Sequence, residues 1–340
     1  MIRLGIVGLG FGAAVQLPAF RELPGVQVVA LGGRRPDKAK ELADRMGIGV
    51  GGSIDDVLAT PLDALSVALP PELGASVCLR ALERGLAVLA EKPLAENAMR
   101  ASLLAQRAVG RTAAVDFELA DLAAFRALKQ SAEGTQIKSV KIVWRTRSYA
   151  HEKGLWTWKT DRAQHGGVLN LLGSHVFFLL EWMFGPLRTL AARVSDERTR
   201  PLAPAGAVAA EDLAEIRATT QGGAAIDITL DNAATGISHR WDVVLDGASL
   251  AFVAHPDGSF ELAQEKSGSR LILASDPVVP GIDWRIAPFR RLAARFIESA
   301  SRGESCFPGF DTGARVQRLL DAVRESSERG GANVGTQDLA

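Results

Sequence analysis

A glycine-rich turn lies near the start of the chain, directly after the apolar run Ile2–Val7. Its residues are Gly8, Leu9, Gly10, Phe11, Gly12 and Ala13, which form a G-x-G-x-x-A spacing. In this pattern the first glycine permits a tight turn, the second lets the backbone approach a pyrophosphate, and the alanine allows close packing of helix on strand. The free N–H groups and the dipole of the following helix favour an anion. Glycines also serve ordinary turns, but this setting predicts a dinucleotide site formed by Gly8, Gly10, Phe11, Gly12 and Ala13.

The end of the second apolar run indicates which dinucleotide is bound. The run Val26–Leu31 leads into Gly32, Gly33, Arg34 and Arg35, and it carries no carboxylate. NAD-binding proteins usually have an acidic residue here, whereas a guanidinium suits the 2′-phosphate of NADP. Gly33, Arg34 and Arg35 therefore predict NADP(H) as the preferred cofactor, with NAD(H) as the alternative. The two arginines could also be ordinary solvated surface residues.

Polar and proline residues follow two further apolar runs. Leu69 and Pro70 come at the end of the run Ala64–Leu69, and Glu91, Lys92 and Pro93 follow the run Ala87–Ala90. Open α/β sheets bind ligands beyond the carboxyl ends of their strands, so Leu69, Pro70, Glu91 and Lys92 are predicted to contact the cofactor. The ammonium of Lys92 could also hold a substrate oxygen and stabilise a developing alkoxide. A lone lysine is otherwise more often a surface residue.

His175 is the second candidate for chemistry, and it lies in a segment that is apolar nearly all round. An imidazole can exchange a proton with an alcohol near neutral pH. The alternative is a histidine that is merely buried in the core. Tyr149 is a weaker candidate proton donor, because an unperturbed phenol has a pKa near 10.

The segment Ser148–His165 is rich in aromatic and polar residues. Tryptophan can stack on the apolar face of a sugar while polar neighbours bind its hydroxyls. The candidate substrate-binding residues are Trp156, Trp158, Lys159, Asn170 and Ser174. Packing of the tryptophans within the protein explains the same pattern equally well. Arg145 and Arg147 could meet an anionic substrate or could simply be solvated.

The elements that must position these residues follow from hydrophobic periodicity. Continuous apolar runs alternating with helical segments predict a doubly wound parallel sheet. The predicted strands are Ile2–Val7, Val26–Leu31, Ala64–Leu69, Ala87–Ala90 and Ala113–Phe117, and the predicted helices are Ala13–Glu22, Pro36–Met46, Glu72–Glu83 and Asn97–Ala108. A helix at Asp121–Ala132 is expected to link this Rossmann domain, residues 1–120, to a second domain, residues 121–340.

The second domain is predicted to be α+β, with an open and mostly antiparallel sheet. Its expected strands are Lys138–Arg147, Leu190–Val194, Leu213–Thr219, Ala224–Leu230, Trp241–Leu245, Leu250–Val253 and Ser259–Ala263. Its expected helices are Ala163–Phe184, Ile286–Ser301 and Thr312–Ser327, of which the last two could pack back on the first domain. The free face of such a sheet predicts a homodimer or homotetramer.

The combination of the G-x-G-x-x-A turn, Glu91-Lys92-Pro93 and Gly173-Ser174-His175 resembles the Gfo/Idh/MocA family, which includes glucose-fructose oxidoreductase and inositol dehydrogenase. The resemblance spans essentially the whole chain and includes Phe307-Pro308-Gly309 between the closing helices. It implies NAD(P)-dependent hydride transfer at a sugar or polyol carbon, with Lys92 and His175 in catalytic roles and the Lys-Pro bond often cis.

Two positions depart from the family pattern. Leu171 stands where the family usually has an aspartate four residues before the histidine, and Gly74 stands where a histidine is usual. By α-helical spacing, Asn170 projects away from the Leu171 face and is a poor replacement. The polar groups around the substrate are therefore expected to differ from those of the family.

Composition limits the remaining classes of function. The 340 residues include 39 Lys+Arg and 39 Asp+Glu, so there is no excess positive charge for nucleic-acid binding. The two cysteines and the absence of metal-ligand spacing predict a reducing, cytoplasmic setting and no metal, and the polar residues within Leu169–Phe184 argue against a membrane span. We therefore expect an NADP(H)-dependent oxidoreductase acting on a sugar, sugar nucleotide or cyclic polyol. The alternatives are a dinucleotide-sensing regulator without catalysis and an NAD-dependent glycosidase.

Overall fold

The computed structural model of the chain describes residues 1–266 and 269–336, which divide into two compact units. Unit 1 comprises Met1–Asp121 and Gly281–Ala314, and unit 2 comprises residues 122–280 and the described residues from Arg315 onward. Each unit is built on one β-sheet of its own.

Unit 1 is a six-stranded parallel sheet with the strand order β3-β2-β1-β4-β5-β6. Its strands are β1 (Ile2–Val7), β2 (Val26–Gly32), β3 (Val50–Gly52), β4 (Ala64–Val67), β5 (Ala87–Glu91) and β6 (Ala113–Asp116). The strands β4 and β6 are buried along their whole length, as parallel strands covered on both faces should be. The strand order reverses direction beside β1, and ligands of open α/β sheets bind at such a point.

The helices of unit 1 cover this sheet. They are α1 (Leu17–Arg21), which continues a π-helical turn at Gly12–Gln16, then α2 (Pro36–Met46), α3 (Ile54–Ala59), α4 (Pro71–Glu83), α5 (Ala98–Arg107) and α9 (Ile286–Arg302). Although α9 is far away in sequence, its residues Phe289, Leu292 and Phe296 are fully buried in the core around β1 and α1. Phe289 meets Phe20 edge to face, with ring centroids 5.5 Å apart.

Unit 2 is a nine-stranded sheet with the strand order β14-β13-β12-β11-β7-β10-β9-β8-β15. The strands are β7 (Ile137–Arg147), β8 (Leu187–Ser195), β9 (Leu213–Thr220), β10 (Ala225–Asp231), β11 (Ala233–Leu245), β12 (Ala248–Ala254), β13 (Phe260–Lys266), β14 (Ser269–Asp276) and β15 (Val334–Gly335). Among the described strands of this sheet, only β10 and β7 pair in parallel. The predicted fold class, a doubly wound parallel sheet with a mostly antiparallel open sheet, is confirmed.

The helices of unit 2 include α6 (Ala123–Ala132), α7 (Tyr149–Lys153) and α8 (Ser174–Phe184), and α10 (Phe310–Glu328) belongs to it from Arg315 onward. Buried aromatic rings join α6 to the sheet. Phe125 stacks on Phe252 at a centroid distance of 4.1 Å and meets Trp241 edge to face at 5.3 Å.

The predicted helix Ala163–Phe184 is wrong at its N-terminal end. A 3-10 turn at Arg162–Gln164 stops at His165, which has a left-handed φ of 57°. Gly167 follows with a φ of 100°, so the chain turns sharply before a π-helical turn at Leu169–Gly173 leads into α8. By length and composition the stretch Arg162–Phe184 could cross a membrane, but 78% of its most apolar window is buried inside the protein.

The prediction also missed short or exposed elements. The strand β3 has three residues, two of them glycine, and α3 has six. The strand β14 exposes Leu271 and Ile272 and has no clean alternation of buried and exposed residues. Periodicity needs longer or half-buried segments to be visible.

Candidate active site

The glycine turn of unit 1 has the geometry of a phosphate-binding loop. Gly8 has a φ of +127°, and a Cβ on it would lie 2.2 Å from the carbonyl oxygen of Ala68, so only glycine fits. A Cβ on Gly10, by contrast, would meet no atom within 4 Å. The backbone at Gly10 is therefore open to an incoming group, and a dinucleotide pyrophosphate fits this turn.

The close packing of helix on strand is made by Gly12 rather than by Ala13. A Cβ on Gly12 would lie 3.2 Å from both Ile6 Cγ2 and Ala68 Cβ, whereas Ala13 is half-buried. The helix begins as a π-helical turn, a feature that is frequent at functional sites. Phe11 lies at this helix start, against Phe289 and with the guanidinium of Arg285 5.2 Å from its ring centroid.

The two arginines that follow β2 are exposed to solvent. Gly33 is buried, and a Cβ on it would lie 3.2 Å from Leu9 of the glycine turn. Arg34 and Arg35 are exposed, and Asp37 lies in the first turn of α2 as expected. No carboxylate ends β2, and Leu69 and Pro70 are half-buried between β4 and α4.

Lys92 follows β5 directly, its bond to Pro93 is cis, and it lies among carboxyl groups. Burial lowers the pKa of Lys92, while the charges of Glu91, Glu118 and Asp116 oppose that shift and Arg285 adds to it. Burial, together with the charge of Glu91, raises the pKa of Glu118 to about 7. These groups influence one another because charges interact strongly away from water.

A buried polar network beneath Lys92 was not foreseen from the sequence. Gln16 is fully buried, and its Nε2 donates to Asp116 Oδ2 at 3.2 Å and to Glu91 Oε1 at 3.4 Å. Its Oε1 accepts from the hydroxyl of Ser66 at 2.9 Å, which orients the amide. The one available signal was a glutamine and an aspartate within otherwise apolar segments of a helix and a strand.

His175 lies in unit 2 at the start of α8 and is 6% exposed. Its ring lies 6.1 Å from that of Trp144 on β7, centroid to centroid. Trp144 in turn stacks on His239 of the neighbouring strand β11, with centroids 3.9 Å apart and planes 5° apart. The sequence did not point to Trp144 or His239.

His239 is a structural partner in this group. Its Nε2 accepts a hydrogen bond from Trp241 Nε1 at 3.0 Å. Burial lowers the pKa of His239 to about 3, so its ring is neutral near pH 7. A neutral imidazole held by Trp241 fixes the plane on which Trp144 stacks.

Asn170 and Ser174 are used inside unit 2 and are not retained as substrate-binding residues. Asn170 is 2% exposed, donates to the carbonyl oxygen of His165 and accepts from Arg324. The hydroxyl of Ser174 donates to the carbonyl oxygen of Asn170 at 2.9 Å. The π-helical turn also invalidates the α-helical spacing from Leu171 to His175, because π turns bond i to i+5.

The remaining candidates lie in the segment that follows β7. Tyr149 is 67% exposed, and its role as a proton donor stays a prediction. Trp156 and Trp158 are half-buried, and Lys159 Nζ lies 5.8 Å from the Trp158 ring centroid. Within residues 1–266 and 269–336, no group of three or more His, Cys, Asp or Glu side chains is arranged to hold a metal ion.

Comparison with known proteins identifies the family of the chain. Residues 2–117 match the family model described as an oxidoreductase family with an NAD-binding Rossmann fold, and residues 122–251 match that of the Gfo/Idh/MocA C-terminal domain. The chain belongs to the Gfo/Idh/MocA family of oxidoreductases. An uncharacterised oxidoreductase of Synechocystis is 28% identical over 96% of this chain and 94% of its own length.

Solved structures share the fold of this Gfo/Idh/MocA protein. Levoglucosan dehydrogenase in complex with NADH and levoglucosan matches with a TM-score of 0.82 and 18% identity over 98% of both chains. An inositol dehydrogenase homologue complexed with NAD⁺ from Azotobacter vinelandii matches with a TM-score of 0.81 and 20% identity, over 98% of this chain and 97% of the other.

The two glycines give a prediction that separates ligand binding from folding. Gly10→Ala should weaken dinucleotide binding about tenfold or more, which is about 1.4 kcal/mol, because its methyl group takes the space left for the ligand. The thermal unfolding temperature should stay unchanged, since a Cβ there meets no protein atom. Titration calorimetry and thermal denaturation measure the two effects. Gly8→Ala is the contrasting variant and should lower the unfolding temperature; unchanged binding in Gly10→Ala would contradict the assignment.

Proposed function

We propose that this protein is an NADP(H)-dependent oxidoreductase that transfers hydride to or from a hydroxyl-bearing carbon of a sugar, sugar nucleotide or cyclic polyol. The observation that carries the proposal is Lys92, a lysine held beyond the end of β5 among carboxyl groups in the unit that bears the glycine turn. The names of the structural relatives, levoglucosan dehydrogenase and an inositol dehydrogenase homologue, support the substrate class.

The proposed cofactor residues belong to unit 1. The backbone at Gly8, Gly10 and Gly12 would hold the pyrophosphate, and the ends of β2, β4 and β5 would contact the remainder of the dinucleotide. When bound, the dinucleotide supplies the hydride acceptor or donor. The exposed guanidinium groups of Arg34 and Arg35, with no carboxylate at the end of β2, support NADP(H) over the NAD(H) seen in the structural relatives.

Lys92 would donate a hydrogen bond to the reacting oxygen of the substrate. Its ammonium would stabilise negative charge that develops on that oxygen as the hydride leaves the carbon. Burial makes this interaction stronger than it would be in water. The carboxyl groups around Lys92 favour the charged ammonium against the cost of burial.

His175 would take the hydroxyl proton during oxidation and return it during reduction. Its buried position at the start of α8 restricts the ring, and Trp144 lies beside it. The half-buried indole of Trp144, fixed on its stacking partner His239, would offer an apolar surface to a sugar ring. Trp144 thus takes the place we first gave to Asn170 and Ser174.

We also propose that a second copy of the chain packs on the open face of the unit 2 sheet. A depression of about 530 Å³ on β7, β8, β9 and β10 is lined by side chains of both charge signs. Arg217 and Asp227, which form a 3.8 Å ion pair there, are 89% and 67% exposed. Mixed charge on one face suits a two-fold interface, in which each patch meets its own copy.

The proposed catalytic roles are tested by cofactor absorbance in a screen of sugars and polyols. Lys92→Met and His175→Asn should each lower kcat about 10²- to 10⁴-fold, as is typical for acid–base and oxygen-holding groups. Lys138→Met is the matched control, because Lys138 pairs with Asp246 in solvent. Dinucleotide binding without turnover of any substrate would favour the sensing regulator instead.

The cofactor preference is tested by binding both dinucleotides to the wild type and to Arg34→Ala/Arg35→Ala. The double variant should bind NADP⁺ roughly 10- to 100-fold more weakly, since it loses charge-assisted bonds to the 2′-phosphate. Its affinity for NAD⁺ should change less than about threefold, because NAD⁺ has no such phosphate. Arg45→Ala, an exposed arginine at the other end of α2, is the control. Equal wild-type affinity for the two dinucleotides would reject the preference.

The proposed assembly is tested by light scattering on a sizing column. The wild type should run at a multiple of the 36.1 kDa subunit mass. Arg193→Glu/Arg217→Glu should reduce that mass, because like charges would then face each other across the interface. Arg302→Glu in unit 1 should leave it unchanged. A monomeric wild type would refute the assembly.

A further inference from the structure

Two carboxyl groups face each other on neighbouring strands of unit 1. Glu91 on β5 and Asp116 on β6 are register partners in the parallel sheet. The same amide nitrogen, Gln16 Nε2, donates to Glu91 Oε1 at 3.4 Å and to Asp116 Oδ2 at 3.2 Å. Two carboxylates held this close repel each other, and a buried pair of this kind usually keeps one proton.

The second oxygen of Asp116 indicates which of the two carboxyl groups carries that proton. Asp116 is 0% exposed, and its Oδ1 accepts no hydrogen bond from any described residue. A buried carboxylate oxygen without a donor is costly. Protonation of the carboxyl lowers that cost, because a neutral group is easier to bury than a charged one.

We propose that Asp116 carries a proton in the resting protein and donates it in a hydrogen bond to the ionised Glu91. The pair then carries a single negative charge, and this charge positions the ammonium of Lys92. Asp116 and Glu91 are therefore positioning residues that act through Lys92. The link to Lys92 rests on the proposed function, whereas the protonation of Asp116 does not.

The environments of the two carboxyl groups favour a proton on Asp116 rather than on Glu91. Asp116 is completely buried, and burial together with the charges of Glu91 and Glu118 raises its pKa well above the usual value. Burial also raises the pKa of Glu91, but Glu91 is half-buried and the charge of Lys92 and a hydrogen bond from Asp116 oppose that rise. Ser66 holds the amide of Gln16 with its NH₂ toward both carboxyls. Glu118 and Arg285 are the remaining charged groups that act on Lys92.

A single negative charge on the Glu91–Asp116 pair meets two opposite requirements of Lys92: the ammonium must stay charged, and it must not be held in a tight ion pair. Two ionised carboxylates beside Glu118 would hold the ammonium in a tight ion pair and compete with the substrate oxygen. Without any charge, burial would lower the pKa of the lysine further. The neutral Asp116 therefore allows Lys92 to stay charged without a second full negative charge beside it.

Infrared spectroscopy of the cofactor-free protein tests the protonation directly. Near pH 8, above the pKa of about 7 of Glu118, the wild type should show the carbonyl stretch of a protonated carboxylic acid. The band should be lost in Asp116→Asn and kept in Glu118→Gln. A wild type without the band, or a band that survives in Asp116→Asn, would overturn the proposal.

Competitive acetylation with mass spectrometry tests the effect on Lys92 without requiring turnover, because only the neutral amine reacts. In Glu91→Gln, the pH at which Lys92 becomes reactive should fall by about one unit or more, since an opposite charge has been removed. In Asp116→Asn it should move by less than about 0.3 unit, because a neutral amide replaces a neutral acid. Equal shifts in the two variants would mean that Asp116 is ionised and would overturn the proposal.

The pH profile of kcat/KM in the same variants connects this result to catalysis. Its alkaline limb should follow the acetylation profile, moving in Glu91→Gln and staying in place in Asp116→Asn. If acetylation shows the asymmetric shift but no substrate is turned over, the proton assignment stands and the proposed function fails. If both variants unfold, carboxyl-labelled ¹³C-aspartate in the wild type assigns the band: a band that shifts with the label supports a protonated aspartate, and a band that does not shift overturns the proposal.

Discussion

Buried charge at the carboxyl ends of β5 and β6 constrains the rest of unit 1. A carboxylate or an ammonium removed from water must be neutralised, paired or hydrogen-bonded. Lys92, Glu91 and Asp116 meet that requirement together, with Gln16 and Ser66 supplying the hydrogen bonds. A change of charge at Glu91 is therefore expected to alter the charge state of Lys92.

The need to neutralise this buried charge also explains why the helix after the glycine turn has two roles. Its N-terminal end, with Gly10 open and Gly12 packed tightly on β1, is shaped for a phosphate. One turn later, within the π-helical segment, Gln16 points into the core toward Asp116. The phosphate-binding turn and the setting of Lys92 are thus parts of one rigid element.

Unit 2 places its histidine by different means. Aromatic rings lie beside His175: the ring of Trp144 is 6.1 Å away and stacks on His239, and Trp241 holds His239 by a hydrogen bond. Leu171 stands where the family pattern has an aspartate. With Leu171 at that position, recognition of the substrate is expected to depend more on ring stacking than on a carboxylate.

The sequence by itself determined the features that depend on neighbouring residues. These local patterns are the glycine turn, the alternation of strands and helices, the missing carboxylate at the end of β2 and the position of Lys92 after β5. A local pattern can be seen in the sequence because it does not depend on contacts with distant residues. Only the tertiary structure decided which distant residues converge. Gln16, Asp116, Glu118 and Arg285 meet around Lys92 because the order of the strands and the return of α9 bring them together, and neither is encoded in local spacing. The π-helical turn at Leu169–Gly173 also breaks the 3.6-residue period on which the interpretation of Asn170 and Leu171 relied. The contacts of those residues are therefore not contained in the sequence pattern.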